Sequence, residues 1–190
     1  MAVLLPSYPI KTERLLLRPF ATSDHAALLA IHSRPDVARF VYWAPRGPEE
    51  VSEVLAEKVA GAKLEHEGDA LHLAAELREG GTLVGDVLLM WRSLVHRSAE
   101  VGFMFHPDHH GRGYATEATA ELLRLGFEEL SLHRMYGRLD ARNTASARVL
   151  EKLGMRREAH LVENEWVKGE WTHEAIYAML DREWEARAGS

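Results

Sequence analysis

The chain has 190 residues, of which 46% are hydrophobic and 27% charged, a composition typical of a globular protein with a substantial core. Its 23 lysines and arginines stand against 29 aspartates and glutamates, and no polybasic run favours nucleic acid or an anionic membrane as a partner. The sequence contains no cysteine, which excludes disulfides, thiolate metal ligands and a cysteine nucleophile. The net charge of −6 suits a cationic substrate better than an anionic one.

The N-terminus lacks the features of a targeting segment. It has no basic region and no sustained apolar run, and no later segment approaches the ~18 apolar residues of a membrane span. We therefore expect cytoplasmic residence. Helix and strand patterns follow one another without a linker, so we expect one domain over residues 1–190.

The first half of the chain predicts a strand, three helical segments and a hairpin. Thr22 or Ser23 can cap a helix that ends before Pro35, and Pro48 followed by two glutamates is a favoured helix start. The glycines of the turn 79–82 predict an antiparallel hairpin. The predicted strands are 10–20, 71–77 and 83–91, and the predicted helical segments are 22–31, a short helix and loop over 37–43, and a helix from 48.

The second half predicts alternating strands and helices. The predicted strands are 99–105, 135–139, 156–166 and 171–179, with helices over 116–130 and from 143 to 154. Strands 99–105 and 135–139 should lie parallel to each other because a helix connects them. The order of elements is that of a mixed α/β fold.

The segment after strand 99–105 has the character of an anion-binding loop. Gly111 and Gly113 flank Arg112 immediately before a predicted helix, so successive backbone N–H groups can converge on an anion at the helix N-terminus. The spacing fits neither a Walker loop, which needs Lys-Ser/Thr, nor a G-x-G-x-x-G dinucleotide loop.

A second motif lies about thirty residues further along the chain. Asn143 is a suitable N-cap, Val149, Leu150 and Leu153 form an apolar stripe, and Gly154 ends the helix. The stretch from Asn143 to Gly154 contains Asn-x-x-Ser and then Glu-Lys-Leu-Gly.

Together these two motifs resemble the GNAT acetyltransferases. His110 to Ala115 is similar to the family's Gln/Arg-x-x-Gly-x-Gly/Ala pyrophosphate loop, with His110 in place of Gln or Arg, and the continuation to Ala118 is similar to the RimJ/RimL branch. The resemblance implies a central, largely antiparallel sheet of six to seven strands with a splayed parallel pair and flanking helices. In the family the splay occurs at a bulge in the first strand of that pair.

The resemblance also implies acetyl-CoA as co-substrate. The pantetheine arm would run between the splayed strands, pair with backbone groups of residues 103–105, and end near the Asn143 helix. The residues expected to bind acetyl-CoA are Phe103, Met104, Phe105, His110, Gly111, Arg112, Gly113, Tyr114, Ala115, Thr116, Asn143 and Ser146.

Acetyl transfer to an amine requires a base for the amine and a proton for the leaving thiolate. Many GNAT enzymes place a tyrosine before the Glu-Lys pair, but this chain has Leu150 there. RimL-type enzymes resemble it more closely, which implies Ser146 as the proton donor and Glu165 as the base. Glu163, two residues away on the same face of an extended strand, or water could take the role of Glu165.

The resulting hypothesis is an N-acetyltransferase that transfers an acetyl group directly to a primary amine. The acceptor stays open between a protein N-terminus and a small molecule such as an aminoglycoside, a polyamine or an amino acid analogue. An idle acyl-CoA-binding or sensor module of the same fold is the alternative, and a homodimer is left open. Tyr42, Trp43 and Trp166 are candidates for an acceptor pocket. No metal is expected, since the carboxylates needed beside His106, His109 and His110 are scattered.

Overall fold

The computed structural model describes residues 4–188. An eight-stranded sheet with the order β1-β2-β3-β4-β5-β6-β8-β7 forms its centre, and every neighbouring pair is antiparallel except β5 and β6. The strands are β1 (Ile10–Lys11), β2 (Leu15–Arg18), β3 (Ala70–Leu77), β4 (Leu83–Ser93), β5 (Ser98–Phe105), β6 (Arg134–Asp140), β7 (Arg156–Val167) and β8 (Glu170–Leu180). The α-helices are α1 (His25–His32), α2 (Pro35–Ala38), α3 (Pro48–Ala60), α4 (Tyr114–Arg124), α5 (Thr144–Lys152) and α6 (Asp181–Ala188). This confirms the expected mixed α/β fold with one parallel pair.

The single strand expected over 10–20 divides into β1 and β2. A hairpin forms because the Thr12 N–H donates to the Leu15 carbonyl at 3.0 Å, and the Thr12 hydroxyl accepts from the Leu15 N–H at 3.0 Å. The sheet therefore gains a strand over the expected six to seven. Pro35 separates α1 from α2, and it does so as the first residue of α2, where its missing N–H costs nothing.

Two hydrophobic cores cover the two faces of the sheet. The larger one packs α4 and α5 against one face and includes Val87 and Leu89 of β4. The smaller one, under α1 and α3, consists of Phe20, Leu28, Val51, Leu55 and Ala74. Because side chains alternate along a strand, Asp86 and Leu88 lie on the face of the smaller core.

The parallel pair is joined over only a short length. β5 and β6 pair from Ser98↔Arg134 to Glu100↔Tyr136, and the strands then part. The register between β4 and β5 runs without a shift from Trp91↔Ala99 to Gly85↔Phe105, so β5 contains no bulge where the splay begins. Leu150 of α5 is buried against Gly137 of β6, where a Cβ would lie 2.9 Å from Leu150 Cδ1, so glycine at this position lets α5 pack closely on the strand beside the splay.

Candidate active site

The loop before α4 has the backbone geometry of an anion cradle. Gly111 and Gly113 have φ values of +74° and +84°, a left-handed conformation that favours glycine, and α4 begins at Tyr114. Within residues 4–188 we find no hydrogen-bond partner for six consecutive backbone N–H groups, those of Gly111, Arg112, Gly113, Tyr114, Ala115 and Thr116. Free N–H groups at the positive end of a helix dipole are suited to a pyrophosphate.

Arg14, which the sequence analysis missed, holds this loop in place. Its guanidinium donates to the Arg112 carbonyl at 2.7 Å and lies 4.9 Å from the centre of the Tyr114 ring. Glu117 accepts hydrogen bonds from Thr12 at 2.6 Å and from the Arg14 side chain at 2.8 Å. Burial opposes ionisation of Glu117, but these bonds keep its pKa below the ordinary value. The carboxylate beside the cradle is thus neutralised by Arg14.

His110 supports the loop from inside. Its Nε2 lies 2.8 Å from the Phe105 carbonyl oxygen, to which it donates, because a carbonyl can only accept. In this geometry the ring ties the loop to the end of β5. The departure from the Gln/Arg motif therefore has a local structural role in this chain.

The open edge of β5 offers backbone groups of alternate residues. The His106 N–H donates to the Val84 carbonyl of β4 at 2.8 Å. Because the backbone groups of successive residues in a strand point alternately to its two neighbours, those of Met104 also point to β4. The backbone groups of Phe103 and Phe105 then point toward the splay. The Phe105 carbonyl already accepts the hydrogen bond from His110. Of the three residues expected to offer backbone groups, Phe103 is the one that directs both of them to the splay without a partner within residues 4–188. The Met104 backbone faces β4, and its expected part in binding the co-substrate stays a prediction.

α5 brings Asn143 and Ser146 to the splay. Asn143 is the N-cap, as expected, and its Oδ1 accepts from the Ser146 N–H at 3.1 Å. The Asn143 side-chain NH₂ and the Ser146 hydroxyl find no hydrogen-bond partner within residues 4–188. The hydroxyl is half-buried and does not bond back to the helix, so it is available to a ligand.

A cavity of about 410 Å³ passes from the splay to the opposite face of the sheet. Ser146, Asn143 and residues 101–104 line the end at the splay, and residues of α1, α3, β3 and β4 line the other end. A ligand that enters between β5 and β6 can thus meet a second ligand that lies under α1 and α3.

Glu165 lies in a smaller adjoining cavity of about 140 Å³. It accepts a hydrogen bond from the Tyr42 hydroxyl at 2.7 Å and lies 3.7 Å from the Arg138 guanidinium. Burial and this bond raise the pKa of Tyr42, which therefore stays protonated as the donor. The two cavities share Tyr42 and Arg138 in their walls, but the structure does not bring Glu165 into the cavity that Ser146 lines.

Glu163 does not share the face of Glu165. The pairing of β7 with β8 shifts register between Leu161 and Glu165, and Glu163 has a φ of +50°. The bulge breaks the alternation on which the expectation for Glu163 depended. Glu163 is exposed and lines neither cavity.

Among the aromatic candidates for the acceptor pocket, Tyr42 and Trp43 line the large cavity. Trp166 does not, because it is 61% exposed and packs edge-on against Trp171.

A buried polar quartet at the end of the large cavity is the main feature missed from the sequence. Its members are the buried His32 of α1, Lys58 of α3 and Asp86 of β4, together with the partly buried His72 of β3. Lys58 Nζ donates to Asp86 Oδ1 at 2.8 Å, and burial lowers the pKa of both imidazoles to about 4. Four separate elements supply these residues, so no local motif marks them.

Within residues 4–188 there is no group of three or more His, Cys, Asp or Glu side chains arranged to hold a metal ion. In the same part of the chain, no helix combines the length and apolar character needed to cross a membrane.

The free amides before α4, the splay and the through-going cavity define a site for a long ligand with an anion at one end and a reactive group at the other. Comparison with known proteins identifies the class. Residues 14–156 match the family model for the acetyltransferase (GNAT) domain. The chain is 32% identical over 177 residues to the uncharacterized N-acetyltransferase YnaD of Bacillus subtilis, covering 92% of this chain and 98% of that protein.

Solved structures agree. A GNAT-family acetyltransferase from Bacillus anthracis superposes with a TM-score of 0.82 at 30% identity, over 92% of this chain and 99% of that one. Spermidine N-acetyltransferase from Vibrio cholerae, solved with CoA and spermine, has a TM-score of 0.75 at 23% identity, over 90% and 98% of the two chains, and shows the fold alone.

The chain therefore belongs to the GNAT acetyltransferase family. It is an acetyltransferase that uses acetyl-CoA. The cradle, the free Phe103 backbone and the unpartnered Asn143 amide fit that co-substrate.

Proposed function

We propose that the protein is a RimJ/RimL-type N-acetyltransferase that transfers the acetyl group directly to a primary amine. The observation that carries this proposal is the unpartnered Ser146 hydroxyl, which lines the same cavity as the open end of β5. Direct transfer agrees with the absence of any cysteine in the sequence, since no thiol of the protein can carry the acyl group.

In the proposed reaction the neutral amine forms a C–N bond to the acetyl carbonyl carbon while the C–S bond breaks. The proton lost by the amine passes to a base, and the departing thiolate gains a proton. We assign the second task to Ser146, which donates to sulfur and draws its replacement proton from solvent. Asn143, Phe103 and the cradle of residues 111–116 hold the co-substrate so that its sulfur lies near α5.

Ser146→Ala is expected to lower kcat by about 10- to 100-fold and to leave the KM for acetyl-CoA nearly unchanged, because the hydroxyl acts on the departing sulfur. Thiol release measured over an amine and N-terminal-peptide panel tests this. Ser146→Thr keeps the hydroxyl and should retain much of the rate. Wild-type turnover in Ser146→Ala would remove the donor role.

We assign the base to Glu165, acting across the wall that its cavity shares with the larger one. An α-amino group has a pKa of about 7.7–8.0 and a lysine about 10.4, so at neutral pH the amine needs a base. The Tyr42 hydroxyl donates to the carboxylate and the Arg138 guanidinium lies 3.7 Å from it, and water can bridge the carboxylate to the amine.

Glu165→Gln is expected to depress the rate most at neutral pH and progressively less as pH rises, because alkaline buffer deprotonates the amine without help. The measurement is a pH–rate profile at saturating acetyl-CoA. Tyr42→Phe is the matched control, since it removes the hydrogen bond and keeps the carboxylate, and from neutral to alkaline pH its rate should stay a constant fraction of the wild-type rate. A ratio of mutant to wild-type rates that is constant across pH would assign the base elsewhere.

One observation favours an idle acyl-CoA-binding module as a second candidate. Glu165 and Ser146 line different cavities, so their cooperation depends on a bridging molecule. The same thiol-release panel separates the two candidates: a module of that kind binds acetyl-CoA and releases no CoA with any amine.

A further inference from the structure

The quartet of His32, Lys58, His72 and Asp86 contains covered, unpartnered polar atoms beside the end of the large cavity. Within residues 4–188, His32 Nε2, His72 Nδ1 and Asp86 Oδ2 are buried and have no hydrogen-bond partner. His32 is 2% exposed and Asp86 5% exposed, and both residues line the cavity. A buried polar group without a partner costs about 1–3 kcal/mol. The three atoms are covered by neighbouring groups in the free protein, so a ligand that reaches them when those groups shift would gain by bonding to them.

The donor and acceptor roles of two of these atoms follow from their neighbours. Arg46 lies with its guanidinium 3.1 Å from His32 Nδ1, and a guanidinium can only donate. Nδ1 is therefore the acceptor of the ring, and in the neutral imidazole Nε2 carries the hydrogen. Asp86 Oδ1 accepts from Lys58, which leaves Oδ2 as a free acceptor. Of the three unpartnered atoms, these two thus offer one N–H donor and one carboxylate oxygen, and the third is His72 Nδ1.

The charges around these atoms disfavour an ion of either sign. Both imidazoles are neutral at pH 7, because burial lowers their pKa to about 4. The opposite charges of Lys58 and Asp86 then sum to zero. A ligand carboxylate would be repelled by Asp86, and a ligand ammonium would be repelled by Lys58. Three cationic residues, Arg46, Lys58 and Arg138, line the whole cavity. Two anionic residues, Glu57 and Asp86, line it as well. A second ammonium group is therefore at a disadvantage here.

We propose that the acceptor is a primary amine whose other end carries a neutral hydroxyl or carboxamide group, which binds Asp86 Oδ2 and His32 Nε2. Such a group both donates and accepts, as Asp86 Oδ2 and His32 Nε2 require. Asp86 faces Met104 on the adjacent strand, so the quartet lies one to two strand spacings from the splay, roughly 5–10 Å. A short chain spans that length. This inference rests on the proposed amine acetylation and names its acceptor class.

Three amines of equal length test the acceptor class on the unmodified protein. Aminopentanol, hexylamine and cadaverine differ only in a terminal hydroxyl, methyl or amino group. We expect kcat/KM for aminopentanol to exceed that of each other amine by at least about tenfold, because a site built to hydrogen-bond a hydroxyl rejects analogues that leave its polar atoms unpaired. Calorimetric titration of the CoA-loaded protein should give the same order of affinities without turnover.

A double variant locates the preference in the quartet. Lys58→Met with Asp86→Leu removes both charges together and leaves neither one buried alone. In this variant the kcat/KM values of the three amines should lie within about threefold of one another. Acetyl-CoA should still raise its melting temperature, which shows that the variant is folded. The matched control removes another lysine–carboxylate pair, the exposed Lys63 and Glu65 at 2.7 Å, through Lys63→Met with Glu65→Gln, and should keep the preference.

Equal or better use of cadaverine or hexylamine by the wild-type protein overturns the inference, as does a preference that survives in the double variant. If the double variant does not fold, the comparison of the three amines on the wild-type protein still decides. If none of the three reacts, the acceptor class is wrong, and the wider amine panel shows separately whether the proposed function fails too. Peptides that begin with serine or alanine distinguish a hydroxyl on a protein N-terminus from one on a small molecule.

Discussion

Replacing Gly111 and Gly113 together with valine is expected to weaken acetyl-CoA binding by at least about 100-fold. Both residues have positive φ, where a β-branched side chain costs on the order of 1–3 kcal/mol each, so the loop would change conformation and its N–H groups would no longer converge. At Gly113 a Cβ would also lie 3.2 Å from the Arg14 guanidinium. The measurement is the rise in melting temperature on adding acetyl-CoA. Acetyl-CoA at a hundredfold excess over its Kd should stabilise the wild-type protein by about 2.7 kcal/mol, which raises its melting temperature by roughly 5–10 °C.

The chain supplies a close control for backbone strain. Gly80 and Gly81, in the turn between β3 and β4, also have positive φ, at +85° and +65°. Valine at both should lower the melting temperature of the free protein by a comparable amount and leave the acetyl-CoA shift intact. A full shift in the Gly111/Gly113 variant would place the pyrophosphate elsewhere.

The features predicted correctly from the sequence are those encoded within short segments. The glycine pair before α4 and the Asn143 cap of α5 depend on the conformational preferences of single residues and their immediate neighbours. The parallel pair is also encoded locally, because a helix connects the strands. Local encoding of this kind is visible in one sequence without structural information.

The features that were missed depend on contacts between distant segments. Arg14 and Glu117 are 103 residues apart, and nothing near either residue marks the pair. The bulge at Glu163 arises from the pairing of β7 with β8, so simple alternation gave the wrong face. The split of the first predicted strand involves a backbone bond and a bond of the Thr12 hydroxyl, which also bonds Glu117. Such contacts are properties of the assembled sheet.

Lys58→Met alone is expected to destabilise the protein by about 3–5 kcal/mol at pH 7, because it leaves Asp86 charged, buried and without its partner. Addition of Asp86→Leu should restore most of the loss, since two apolar residues in place of a buried ion pair are often neutral or stabilising. Denaturant unfolding of the two variants measures the difference. Lys63→Met, which breaks the exposed pair with Glu65, should cost less than about 1 kcal/mol.

The difference in unfolding free energy between the wild-type protein and Lys58→Met should become smaller as pH falls from about 6.5 toward 4. In the wild-type protein His32 and His72 have folded pKa values of about 4 against an ordinary value of 6.5, so in this range the unfolded chain binds protons that the folded one does not. Wild-type stability therefore decreases as pH falls. Burial is the main cause of both low pKa values, and the charge of Lys58 lowers them further. Its removal raises both pKa values, and a protonated imidazole then compensates Asp86. Parallel pH–stability curves for the two proteins would contradict this coupling and would show that the quartet does not act as one electrostatic unit.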